Sequence, residues 1–126
     1  MKEAIIRHFL KAIALTEIKA TLSQPDANIT LWREKNFDVM LEGQWVSGIF
    51  DRVIIFSDQN GTPVKAKIQD FKSDDIPDDA ALNDRIAYYR PQISIYQRAL
   101  AIILKIQPQQ ITGELIFTQR GKVCRI

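Results

Sequence analysis

Gly48-Ile49-Phe50-Asp51-Arg52-Val53-Ile54-Ile55-Phe56 and Ile68-Gln69-Asp70-Phe71-Lys72, with Asp58-Gln59-Asn60-Gly61 between them, decide how this chain folds. Both stretches are rich in β-branched and aromatic residues, which pack well on a pleated surface. Asn-Gly is the pair that most favours a tight hairpin turn, because both residues tolerate the left-handed backbone it needs. The reading is a strand from Trp45 to Phe56, a two-residue turn at Asn60-Gly61 and a return strand from Val64 to Phe71. With the turn flanked by Gln59 and Thr62, residue 51 falls opposite residue 70. Side chains alternate along a strand. Asp51 is therefore expected on the face of Ile49, Val53 and Ile55, and Asp70 on the face of Lys72, with Phe71 turned away.

Working outward, apolar residues from Lys2 to Leu22 follow helical spacing until Gln24-Pro25-Asp26 stops them. Ile29 to Trp32 and Phe37 to Leu41 read as two further short strands, with Glu42-Gly43 as a break. After the hairpin, Ser73 to Asp79 is an acidic loop whose last residues can start a short helix from Ala80 to Tyr88. Pro91 suits the first turn of a second helix, running to about Ile106 before Pro108. Gly113 to Gln119 and Lys122 to Ile126 read as two last strands. The expected fold is mixed α/β (α+β): a central mixed sheet flanked by helices, with the hairpin at its middle.

At 126 residues the chain is read as one domain. Its 46% hydrophobic and 25% charged residues are ordinary for a globular protein. Net charge is only +2, so any binding of nucleic acid must come from local patches or a metal. Cys124, the single cysteine, makes no internal disulfide and no four-cysteine metal site, which suits a reducing cytoplasm. No apolar run approaches the roughly 20 residues that span a bilayer. No GxxxxGK(S/T) phosphate loop occurs, so the chain carries no nucleotide motor. A start inside a helical pattern and an end in a strand suggest a domain taken from a larger protein.

Asp51 and Asp70 stand where a purely structural strand would carry apolar residues, and a carboxylate among such neighbours is costly to desolvate without compensation. Like charges facing across a ladder repel unless a divalent cation sits between them. Two carboxylates plus waters suit Mg²⁺ or Mn²⁺. Lys72 beside them adds a cation of the kind phosphodiester hydrolysis uses near the attacking water or the charged transition state. On spacing alone a second reading stands: Asp70 and Lys72 as a solvated pair, and Asp51 in a salt bridge with Arg52 or another base.

GIFDRV, then IQDFKS after a hairpin, then YRPQISIYQRAL, together resemble the nuclease domain of RecB/AddA-type helicase-nucleases in the PD-(D/E)XK superfamily. Three motifs carry the resemblance in order from Gly48 to Leu100: Gly-x-hydrophobic-Asp-Arg, Asp-hydrophobic-Lys, and Gln-x-x-x-Tyr on a helix. It implies a restriction-endonuclease-like core and a Mg²⁺- or Mn²⁺-dependent nuclease acting on DNA, partnered with a helicase domain or subunit in end processing, recombination and repair. It implies that Asp51 and Asp70 bind the metal, joined by the carbonyl of Phe71, that Lys72 assists the nucleophile, and that Gln92 and Tyr96 line the active site. It also places His8, the only histidine, as a further ligand, although Ala4-Ile5 stands where relatives carry Gly-Thr. From the residues alone, His8 is a core-edge helix histidine and Tyr96 part of an apolar stripe with Ile93, Leu100 and Ile103.

Arg52 is expected on the opposite face in a structural ion pair, and Trp32 and Trp45 in packing. Tyr88, Tyr89 and Arg90 are either stacking and phosphate contacts on a strand channel or ordinary packing and surface residues. Asp74-Asp75 and Asp78-Asp79 read as a solvated acidic loop. Two other functions compete: an inactive nuclease-fold module that binds DNA or scaffolds, and an interaction domain without a nucleic-acid role.

Overall fold

The computed structural model describes residues 28–126. The helix expected from Lys2 to Leu22, and His8 within it, lie outside the described residues. Five strands form one mixed sheet in chain order: β1 (Asn28–Leu41), β2 (Gln44–Ser57), β3 (Pro63–Lys72), β4 (Ile111–Phe117) and β5 (Lys122–Arg125). Neighbours are antiparallel except β3 and β4, which run parallel through the helix α1 (Asp79–Leu104) and a 3₁₀ turn at Pro108–Gln110. The fold is thus mixed α+β, with α1 laid over β4, β3 and β1.

Two strands expected in the first part of the chain are one. β1 runs 14 residues straight through Arg33-Glu34-Lys35-Asn36, paired with β2 from Asn28 opposite Ser57 to Leu41 opposite Gln44. The polar residues do not interrupt it because only one face of this ribbon is buried. The tight two-residue turn is Glu42-Gly43, where both φ angles are positive (49° and 78°) and twist the strands into register.

The β2–β3 turn differs from its expected form, yet the register does not. Asp58 through Thr62 make a longer loop held by Asp58, whose Oδ1 accepts from the amides of Asn60 and Thr62 and whose own amide donates to the Thr62 carbonyl. Ser57 then pairs with Pro63, and Val64 becomes a bulge. That one extra residue restores the ladder of a two-residue turn, from Phe56 opposite Lys65 to Arg52 opposite Gln69.

The two helices expected on either side of Pro91 are a single helix of 26 residues. Leu82, Ile86, Tyr89, Ile93, Tyr96, Leu100 and Leu104 recur at spacings of three and four straight across Pro91, and all are buried or half-buried against the sheet. Pro91 itself is exposed. Packing of that continuous stripe outweighs the loss of one backbone hydrogen bond. Asp78 caps the start, its side chain accepting from the Ala81 amide at 2.8 Å, and Lys105 ends the helix in the left-handed conformation.

The core divides under the two halves of α1. Ala99, Leu100 and Ala101 pack with Phe37, Phe50, Val53, Ile55, Ala66, Ile68 and Ile111. Leu82 and Ile93 pack with Leu115, Phe117 and Ile76 from the β3–α1 loop. At Gly113 helix and sheet approach closely: a Cβ there would collide with the Ile93 side chain. Trp32 packs against the core, but Trp45, expected to pack, is 69% exposed beside the Glu42-Gly43 turn. No described helix is long and apolar enough to cross a membrane.

Candidate active site

β2 loses its alternation at Phe50. That ring meets Tyr96 of α1 edge-on at 5.6 Å between centroids, so Phe50 faces the helix, and Ile49, 53% exposed, faces away. Asp51 nevertheless also faces the helix side, since it meets Asp70, and Asp70 and Lys72 follow Ile68 on the face that carries Gly113 and Ile93. Two successive residues thus address one face. Glu34, opposite this point on β1, has φ +47°, and neither Glu34 nor Asp51 is paired there. Asp51 is therefore with Val53 and Ile55, as alternation predicts, and not with Ile49.

Beyond the last antiparallel pair, Arg52 opposite Gln69, β2 and β3 bring Asp51 and Asp70 together. Asp51 Oδ2 accepts from the Phe71 amide at 2.9 Å. Burial, then the hydrogen bond with Asp70, push the Asp51 carboxyl up to about 7 from its ordinary 3.8, against the opposing pull of the Phe71 amide. Asp70 is 6% exposed, and its Oδ2 is buried without a hydrogen-bond donor: Lys72 Nζ lies 3.0 Å away as an ion pair, outside hydrogen-bonding angles.

Lys72 turns back over the helix. Its Nζ donates to Gln92 Oε1 at 3.1 Å and sits 4.0 Å from the ring centroid of Tyr89. Tyr89, for which stacking on a strand channel and ordinary packing both stand open in the sequence, is a direct partner of Lys72. Its hydroxyl meets both carboxylate oxygens of Asp74, at 3.0 and 2.9 Å, and Arg85 Nη1 stands 3.9 Å from Asp74 Oδ2. Burial, followed by Asp74, raises the Tyr89 hydroxyl above its usual range. The sequence predicts a solvated loop at Asp74; the residue is instead half-buried and tied to the helix. Neither role has a short sequence signal, because both depend on how the Ser73 to Asp78 loop returns to α1.

The structure brings Asp51, Asp70, Phe71, Lys72 and Gln92 to one place. Tyr96 instead packs edge-on against Phe37 and Phe50, its hydroxyl next to Gly48. Arg52 points to the opposite face, as expected, where Nη1 donates to Gln69 Oε1 and Gln69 Nε2 donates to Glu114 Oε1 in a buried chain. Tyr88 is exposed, with the Arg85 guanidinium 5.4 Å from its ring, and Arg90 is exposed.

Two hard oxygen donors, one of them a buried oxygen without a hydrogen-bond donor, fit a small divalent cation that keeps several waters. No group of three or more His, Cys, Asp or Glu side chains gathers among the described residues. The chain matches no family model, and no curated protein matches it.

Proposed function

We propose that this domain is a Mg²⁺- or Mn²⁺-dependent DNA nuclease with a restriction-endonuclease-like PD-(D/E)XK core. The observation that carries the reading is the convergence of Asp51, Asp70 and Lys72 on one sheet face, with two carboxylates close enough to raise the Asp51 carboxyl and to share a divalent cation. The resemblance to RecB/AddA-type nuclease domains supports it. In this reading Asp51, Asp70 and the Phe71 carbonyl hold the metal, with His8, outside the described residues, as a further ligand. The metal supplies acidity to a bound water and screens phosphate charge.

The chain's own residues do the rest. Lys72 directs N–H groups at the attacking water or at a phosphoryl oxygen as charge develops. Gln92 fixes the lysine by accepting one of those hydrogens. Tyr96 holds the β1–β2 ribbon against α1 through Phe37 and Phe50, which steadies Asp51 from the adjacent position. Coupling to a helicase domain or subunit, DNA repair and recombination as its setting, and a cytoplasmic location belong to the same proposal.

Incubating labelled single- and double-stranded DNA with the protein and Mg²⁺, Mn²⁺ or chelator tests it. Cleavage with either metal and none with chelator is the expected result. Cleavage undiminished by chelator, or none with either metal, overturns it.

A further inference from the structure

We infer that Tyr89 is a positioning residue for Lys72, a role that rests on the nuclease reading above. Among the described residues, the Lys72 ammonium is in direct contact with Asp70 Oδ2 at 3.0 Å, Gln92 Oε1 at 3.1 Å and the Tyr89 ring at 4.0 Å. They are not equivalent. Asp70 is a carboxylate that a divalent cation would claim, and Gln92 is an exposed amide on a flexible stem. Without a third support, a lysine carries on the order of 2 kcal/mol of rotamer entropy that must be lost each time it is aligned.

Tyr89 is fixed on several sides. Its ring packs with the core cluster of Ile76, Leu82 and Ile93 and meets Tyr88 edge-on at 5.0 Å. Its hydroxyl is tethered to both oxygens of Asp74, and Ile76, two residues further on, is buried and anchors that loop. The ring attracts the ammonium through its face and offers it no lone pair. A carboxylate in the same position would neutralise the charge and occupy an N–H. The aromatic face holds the cation in place and leaves its donors for a water or a phosphoryl oxygen. The tether sets the ring's height and tilt, so Asp74 acts on Lys72 through Tyr89.

The test is a double-mutant cycle read together with a spectroscopic signal. In the full chain with saturating Mg²⁺, Tyr89→Leu should lower kcat about tenfold, with the KM for DNA and the half-saturating Mg²⁺ concentration unchanged. Tyr89→Phe, which keeps the ring and loses the tether, should fall between parent and Tyr89→Leu. In a Lys72→Ala background Tyr89→Leu should add nothing. Equal losses in both backgrounds, or a loss carried in KM or metal dependence, overturn the inference. Independently of cleavage, the ε-methylene protons of Lys72 should be shifted upfield by the ring in the parent and in Tyr89→Phe, and not in Tyr89→Leu. A parent with no such shift overturns the role of Tyr89 even if it cuts DNA. A parent that shows the shift and cuts nothing overturns the nuclease reading, and with it the catalytic purpose of the contact.

Discussion

Lys72 Nζ stands 3.0 Å from Asp70 Oδ2, and that buried oxygen has no hydrogen-bond donor. The lysine thus faces the same oxygen that a metal would take, while its other contacts, Gln92 and Tyr89, lie on the helix. In the proposed nuclease its charge would become available to the reaction once a metal engages Asp70. Lys72→Ala should therefore leave metal affinity unchanged or slightly tighter, because a competing cation is gone, and reduce turnover on the order of 10² to 10³. Initial rates across a Mg²⁺ titration separate the two effects. A variant whose rate recovers fully at high Mg²⁺ would make Lys72 a metal-site residue instead.

The Asp51 carboxyl, held at about 7 by burial and by Asp70, makes stability depend on pH in a definite direction. Below about 4 both folded and unfolded states are protonated there. Between about 4 and 7 the unfolded chain has lost the proton that the folded chain keeps, so stability falls as pH rises and stays reduced above 7. Asp51→Asn removes this contribution. Metal-free Asp51→Asn should exceed the parent by on the order of 1–2 kcal/mol at pH 8, a figure kept small because the group is partly solvated, and by nothing at pH 3.5. Chemical denaturation at the two pH values checks it. An advantage that is the same at both would assign the effect to packing.

Most of the sheet was legible in the sequence because pairing is set by alternation and turn chemistry, which are local. The register expected from residue 51 opposite residue 70 holds from Phe56–Lys65 to Arg52–Gln69 and stops one residue short of the two aspartates, even though Asn60-Gly61 does not form the expected turn, since the longer loop and the Val64 bulge compensate. Asp51 lies beside Val53 and Ile55 as alternation predicts, and apart from Ile49 because alternation fails at Phe50, near the positive-φ residue Glu34 on β1. Pro91 misled because its local cost is visible in sequence and the continuous buried stripe that outweighs it is not weighed by local rules. The partnership of Tyr89 with Asp74 and Lys72 is tertiary, and nothing within a few residues of any of them announces it.

Continuity of α1 across Pro91 implies a stored cost. Pro91→Ala restores an amide that can donate to the Ala87 carbonyl at an exposed position, and should stabilise the protein by about 1–3 kcal/mol. Urea midpoints of the two proteins decide this. A loss of stability would mean that the proline's fixed φ favours this helix by more than the missing hydrogen bond costs.

Gly113 has no room for a side chain between β4 and α1, where Ile93 fills the space. Gly113→Ala should destabilise by about 1–3 kcal/mol through displacement of the helix, and should lower cleavage as well, since Gln92 adjoins Ile93. In an Ile93→Ala background, which removes the Cγ2 methyl that the new Cβ would meet, the same glycine substitution should cost clearly less in the same denaturation assay. An equal cost in both backgrounds would show that the strain lies elsewhere.

The most direct test of the account is the initial rate of DNA cleavage by Asp51→Asn and Asp70→Asn at saturating Mg²⁺, with folding verified by circular dichroism. Each substitution keeps the shape of the side chain and removes the charge that would hold the metal. The account predicts that both variants remain folded and that cleavage drops to the level of the enzyme-free control. Either variant, folded and cutting at the parent's rate, would contradict it.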